Sequence, residues 1–179
     1  MSDPRYEYQR VNVVKVVLQS RRSGKVLLLQ EPETNEWMPL HWGLPGGKPL
    51  EKESLQEAFG RKMDEELGLK LKPEGILAIE ELLIEGRTVY MYILLAYVDS
   101  EEKVIKEGNF KWVERDGLER MTESEFTEFY SKRLLTDFFE GNLRPIPLDL
   151  IRTERYFELG NDSAYKEWFD SGRKPERRK

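Results

Sequence analysis

Apolar residues crowd the stretch 11–18, and its valine content and short length predict a buried strand. The polar turn Ser20-Arg21-Arg22-Ser23-Gly24 separates it from a second apolar run at 25–30. Two prolines and several polar residues make 31–40 a loop, and Trp42-Gly43-Leu44-Pro45-Gly46-Gly47 follows as a constrained approach to the next element. The apolar segments 76–85 and 88–99 meet at Glu85-Gly86-Arg87, which signals a hairpin, and 110–114 reads as one more short strand. Over 122–140 the residues Phe126, Phe129, Tyr130, Leu134, Leu135 and Phe138 recur at helical steps, so one helix is predicted, ended by Gly141-Asn142.

Between the first strands and the hairpin lies the most strongly written element. Ser54-Leu55-Gln56-Glu57 is a capping box that should start a helix at Ser54. Leu55, Ala58, Phe59, Met63 and Leu67 then form one apolar face, and Gly68 is the residue expected to end the helix, with Leu69 folding back onto it. Gly60 in mid-helix costs roughly 1 kcal/mol against alanine and is read either as a sign of close packing or as drift in a relaxed site. The polar side carries Glu57, Arg61 and Glu65 at four-residue steps, and Lys62 with Glu66 at the same spacing. Strands around one central helix, with another helix later, predict a mixed α/β or α+β domain.

The 179 residues suffice for one domain with a proper core, and the text changes after 142. There 143–148 is loop-like, 163–170 is a candidate short helix with Tyr165, Trp168 and Phe169, and the tail is basic and polar. A net charge of −5 with charges spread throughout gives no clear basic footprint for nucleic acid. The absence of cysteine removes thiolate metal sites and nucleophiles. The longest apolar run, 91–98, is too short to span a bilayer, and the start lacks the apolar segment of an export signal. A cytoplasmic setting without membrane attachment is therefore expected.

Clustered carboxylates on a helix beside a glycine turn suit hard, oxygen-seeking cations, Mg²⁺ or Mn²⁺. The stretch from Gly47 to Leu69 resembles the Nudix box, G-x5-E-x7-R-E-U-x-E-E-x-G-U with U a bulky aliphatic. Gly47, Glu53, Arg61, Met63, Glu65, Glu66, Gly68 and Leu69 match at the required spacing. The upstream Leu44-Pro45-Gly46-Gly47 also resembles the loop that precedes the box. The resemblance covers roughly 11–140 and implies the Nudix (MutT-like) fold, an α/β/α sandwich with a mixed sheet. On it, 1–142 reads as the Nudix domain and 143–179 as a C-terminal extension.

The resemblance further implies a hydrolase that cleaves a nucleoside diphosphate linked to another moiety, by water attack on phosphorus. It implies metal held by Glu65, Glu66 and the carbonyl of Gly46, with Arg61 bonded to Glu53, so that Glu53, Arg61, Glu65 and Glu66 form the catalytic set. Glu107-Gly108-Asn109-Phe110-Lys111-Trp112-Val113 resembles a segment of members that cleave nucleoside triphosphates. That makes Glu107 a candidate fourth metal ligand, the alternative being an exposed loop acid.

One position departs from the box: Lys62 stands where the family carries a glutamate, and Leu50 stands where many members carry another. An ammonium has donors and no acceptor, so lysine can neither bind metal nor act as base at neutral pH. Two outcomes stay open. Lys62 pairs with Glu66 and fills a metal site with its own charge, or it turns to solvent while Glu53, Glu57 or Glu107 serves as base. The function is accordingly either a slow Nudix hydrolase on a nucleotide derivative or a Nudix-fold nucleotide-binding or regulatory module. A structural homodimer through 143–179 is a third option. His41, the only histidine, reads as structural, Trp112 as core, and Trp37, Trp42, Tyr90, Tyr92 and Phe110 as core or base-stacking aromatics.

Overall fold

A computed structural model describes residues 9–36, 38–84, 86–104 and 108–150. Glu107, Trp37 and the candidate helix at 163–170 with its basic tail lie outside the described residues. Strand β1 is Gln9–Ser20, β2 is Val26–Gln30, and two short strands follow at Trp42–Gly43 (β3) and Gly46–Gly47 (β4). Helix α1 is Leu55–Leu67, β5 is Gly75–Ile84, β6 is Arg87–Val98 and β7 is Phe110–Val113. Helices α2, Arg115–Glu119, and α3, Ser131–Phe139, come last.

The strands form one mixed sheet in the order β3-β2-β1-β6-β5, with β4 added to β1 and β7 to β2. Its centre is the parallel pair β1–β6, in unbroken register from Gln9 opposite Arg87 to Ser20 opposite Val98. A strand buried on both faces needs near-continuous apolar sequence, which explains the valine run. Val14, Val16 and Leu18 face one core with Ala58, Phe59, Met63 and Leu67 of α1. Val17 faces the other core with Leu118 of α2 and Tyr130, Leu134 and Leu135 around α3. Helices thus cover both faces of the sheet, the predicted α/β/α arrangement.

Helix α1 forms as its sequence requires. Ser54 accepts from the Glu57 N–H while the Glu57 carboxylate accepts from the Ser54 N–H, and Gly68 closes the helix at φ 68°. The hairpin β5–β6 also forms as expected, with a bulge between Ile76 and Ala78.

The stretch 122–140 is not one helix. Thr122 and Glu125 close a single 3-10 turn, Phe126 is extended, and α3 begins only at Ser131. The cause is tertiary: Phe126 bridges Trp42 in parallel, and the Thr127 N–H donates to the Trp42 carbonyl at 2.9 Å. Phe129, assigned to the apolar face, is 74% exposed as a result. The five-residue α2 was too short to be announced by periodicity. The loop at 143–148 is bonded to the sheet, with Ile76 and Ile146 exchanging backbone bonds of 2.9 and 2.8 Å and Leu148 buried in the α1-side core.

Gly60 does not mark close packing, because a Cβ built there meets no atom within 4 Å. Gly60→Ala is therefore expected to stabilise the fold by about 1 kcal/mol, from helix propensity alone. Thermal unfolding should show a rise of roughly 2–4 °C. A fall would mean that a side chain at this position collides with something the fold requires.

Candidate active site at the end of helix α1

The loop 44–53 reaches the site because glycine lets it touch the sheet. Gly46, at φ 140°, pairs with Lys15 of β1 so closely that a Cβ there would overlap the Val14 carbonyl oxygen. The Val16 N–H donates to the Pro45 carbonyl at 2.9 Å, fixing the loop one step earlier. The Gly46 N–H then donates to Glu66 Oε2 at 2.8 Å. Burial pushes the Glu66 carboxyl above its ordinary range, a tendency partly offset by this bond and by the Lys62 and Lys15 ammoniums.

Arg61 is the clamp between loop and helix. Its Nε and Nη2 donate to the two oxygens of Glu53, both at 2.8 Å, and Nη2 also donates to the Lys48 carbonyl at 3.1 Å. Its Nη1 reaches Glu65 Oε2 at 3.0 Å. A bidentate guanidinium–carboxylate pair is strong and directional. The Arg61 bonds hold the Glu53 carboxyl below its ordinary range, with the Leu50 N–H adding a further bond at 2.7 Å.

Lys62 lies inside the cluster. Its Nζ is 3.2 Å from Glu65 Oε2 and 3.8 Å from Glu66 Oε1, and its Cε would be 2.7 Å from a Cβ on Gly47. Of the two sequence alternatives, this is the paired one: the ammonium sits against the glycine turn and between both acids. The bond from Lys62 holds the Glu65 carboxyl below its ordinary range, while Glu65 remains 49% exposed.

Of the other proposed acids, the two among the described residues are engaged elsewhere. Glu57 serves the helix cap, and Glu53 is committed to Arg61. Carboxylate oxygens suit a hard divalent cation in kind, but among the described residues no group of three His, Cys, Asp or Glu side chains converges. His41 bonds locally to the Pro39 carbonyl, as a structural histidine would. Trp112 packs half-buried on the α1-side core.

Sequence reasoning overlooked Lys15. Its ammonium pairs with Glu128 at 2.8 Å, both side chains 12% exposed, and donates to the Leu44 carbonyl at 3.3 Å. Thr127 and Ser131 also donate to Glu128, so the segment before α3 is tied to the loop that carries Gly46. The only signal was a charged residue interrupting a valine run.

The NUDIX domain family model matches residues 9–134. The chain belongs to the Nudix family. Members are hydrolases of nucleoside diphosphate derivatives that generally use divalent metal ions. The chain is 30% identical over 82 residues to a CTP pyrophosphohydrolase of Escherichia coli, a match covering 46% of this chain and only 58% of that relative. The MutT protein of Methanosarcina mazei Go1 superposes with a TM-score of 0.63 at 25% identity, covering 76% of this chain and 97% of that one. A Nudix hydrolase from Nitrosomonas europaea gives 0.61 at 17% identity over 82% and 98%, a likeness of fold alone. No described helix is long and apolar enough to cross a membrane.

The Arg61–Glu53 clamp has a pH signature. Glu53 has a lower pKa folded than unfolded, so its contribution is complete above the ordinary value of 4.5 and is lost as pH falls through the folded value. Glu53→Gln is expected to cost about 1–3 kcal/mol at neutral pH. The stability of parent and variant should converge as pH falls below the folded value of Glu53. A gap of the same size in acid would show that the carboxylate charge is not what holds the loop.

Proposed function

We propose that the chain is a Nudix hydrolase that cleaves a diphosphate bond in a nucleoside diphosphate derivative, using Mg²⁺ or Mn²⁺ and slowed by Lys62. The observation that carries this reading is the pinned end of α1. Arg61 fixes Glu53 and the loop while the Gly46 N–H fixes Glu66, so that loop and helix are held in one geometry around Glu65 and Glu66. Glu65, Glu66 and the Gly46 carbonyl would hold the cation, joined by Glu107. When bound, a divalent cation neutralises phosphate charge and activates water. Glu53 and Arg61 act as positioning groups that keep loop and helix in one geometry. The pyrophosphohydrolase named among the relatives supports a nucleotide as substrate and makes CTP one compound to test.

Lys62 favours a second reading. Its ammonium already balances both Glu65 and Glu66, so a cation has to displace it. A domain in this state would retain nucleotides as a sensor or regulator with little cleavage.

A panel of nucleoside diphosphate derivatives and triphosphates, incubated with Mg²⁺ or Mn²⁺, should yield a nucleotide with phosphate or pyrophosphate. Replacing Glu65 and Glu66 together by glutamine should abolish Mn²⁺ binding and product, with the circular dichroism unchanged. Product formation undiminished in that variant would sink the site assignment.

Lys62→Glu separates the two readings. Removing the ammonium and adding oxygen donors should raise Mn²⁺ affinity, by roughly tenfold or more. In the enzyme reading turnover rises too, by up to about 10²–10⁴-fold if the new carboxylate acts as base. In the module reading metal affinity rises and no compound of the panel is cleaved. Unchanged Mn²⁺ affinity would refute the role given to Lys62.

A further inference from the structure

On the outer side of the box loop the sheet is not covered by α1. Arg10 and Asn12 continue, two residues at a time, the β1 face that carries Val14, Val16 and Leu18. Where the helix ends its cover, that face turns from apolar to polar, and both residues are exposed. Between it and the loop lies a cleft of about 500 Å³, lined by Arg10, Asn12 and Tyr92 from the sheet and by Lys48, Leu50 and Leu55 opposite. That volume lies in the range of small-molecule sites.

The lining has a definite chemistry. Arg10 and Lys48 project from different walls, and neither forms an ion pair with a described carboxylate. Glu53, the acid of this cleft, is already neutralised by the two bonds from Arg61. Lys48 is not on a loose loop, since Arg61 binds its carbonyl and so fixes the backbone that presents it. Leu50, 61% exposed, offers an apolar surface to the same space, with the Tyr92 ring in the opposite wall. Cations on two walls around an apolar and aromatic lining suit an anion with a flat, weakly polar part. The side-chain amide of Asn12 adds a donor and an acceptor.

We propose that this cleft binds a nucleoside phosphate, with Arg10 and Lys48 on the phosphate and Tyr92 and Leu50 against the nucleoside. The ligand is either the far portion of a substrate held at the box or a free mononucleotide. The first alternative rests on the hydrolase reading given above; the second does not.

Binding is measured on the full chain with AMP and with inorganic phosphate, in chelator, by titration calorimetry and amide NMR shifts. AMP should bind more tightly than inorganic phosphate. Arg10→Gln with Lys48→Gln should weaken AMP binding by roughly ten- to hundredfold, the loss expected for charge-assisted hydrogen bonds. Glu65→Gln with Glu66→Gln should leave it unchanged. No AMP binding, or equal binding by the Arg10/Lys48 variant, overturns the proposal, as does loss of binding in the Glu65/Glu66 variant. These titrations need neither metal nor turnover, so failure of the hydrolase reading leaves their outcome readable. Kinetics then assign the source. A KM raised by the Arg10/Lys48 variant for a dinucleoside polyphosphate, but not for a nucleoside triphosphate, marks the far portion of a substrate. A rate altered by added AMP without competition marks a free nucleotide.

Discussion

The site exists because a glycine can lie against the central strand. At Gly46 the loop comes so near to β1 that any side chain would collide with the Val14 carbonyl, and its positive φ is one that L-residues avoid. That contact aims the Gly46 N–H at Glu66, and Gly47 leaves room for the Lys62 side chain alongside. Arg61 closes the arrangement from the other end by holding Glu53 and the Lys48 carbonyl. Loop, strand and helix are therefore three parts of one rigid corner, with each part unable to shift without breaking a bond made by another.

Charge in this corner is arranged around a deficit of acid. Glu53 is answered by Arg61, Glu65 by Arg61 and Lys62, and Glu66 by a backbone N–H and a more distant ammonium. Lys15, on the far side of the loop, is itself answered by Glu128. The consequence is a cluster in which charges of both signs are largely matched before any ligand arrives. Half-buried Glu66 carries the highest cost of ionisation among the box carboxylates, because burial outweighs its favourable contacts.

Local physics made α1 legible. Its capping box, apolar stripe and terminal glycine all act within a few residues of one another, and each is present as read. The hairpin was legible for the same reason. What escaped depended on partners far along the chain. Phe126 and Thr127 look helical by spacing, yet they pair with Trp42, and no local pattern announces that exchange. Two-residue strands such as β3 and β4 carry no period at all, and Lys15 is understood only once Glu128 is beside it. The site residues from Glu53 to Glu66 sit together because one helix carries most of them, whereas Glu107 lies outside the described residues.

The parallel pairing of β1 with β6 sets conditions on how the chain assembles. As synthesis proceeds from the N-terminus, β1 emerges early, but the strand that flanks it in parallel comes only after the whole of α1 and β5. Until then one edge of a valine-rich strand has no partner, and such an edge invites pairing with other chains. Closing so long a loop carries an entropic cost that local contacts do not repay, which makes non-local parallel sheets slow to form. The β1–β2 hairpin, complete by Gln30, and the self-capped α1 are the structures available in the interval. A nascent chain held between these two stages is where this protein is most exposed to aggregation.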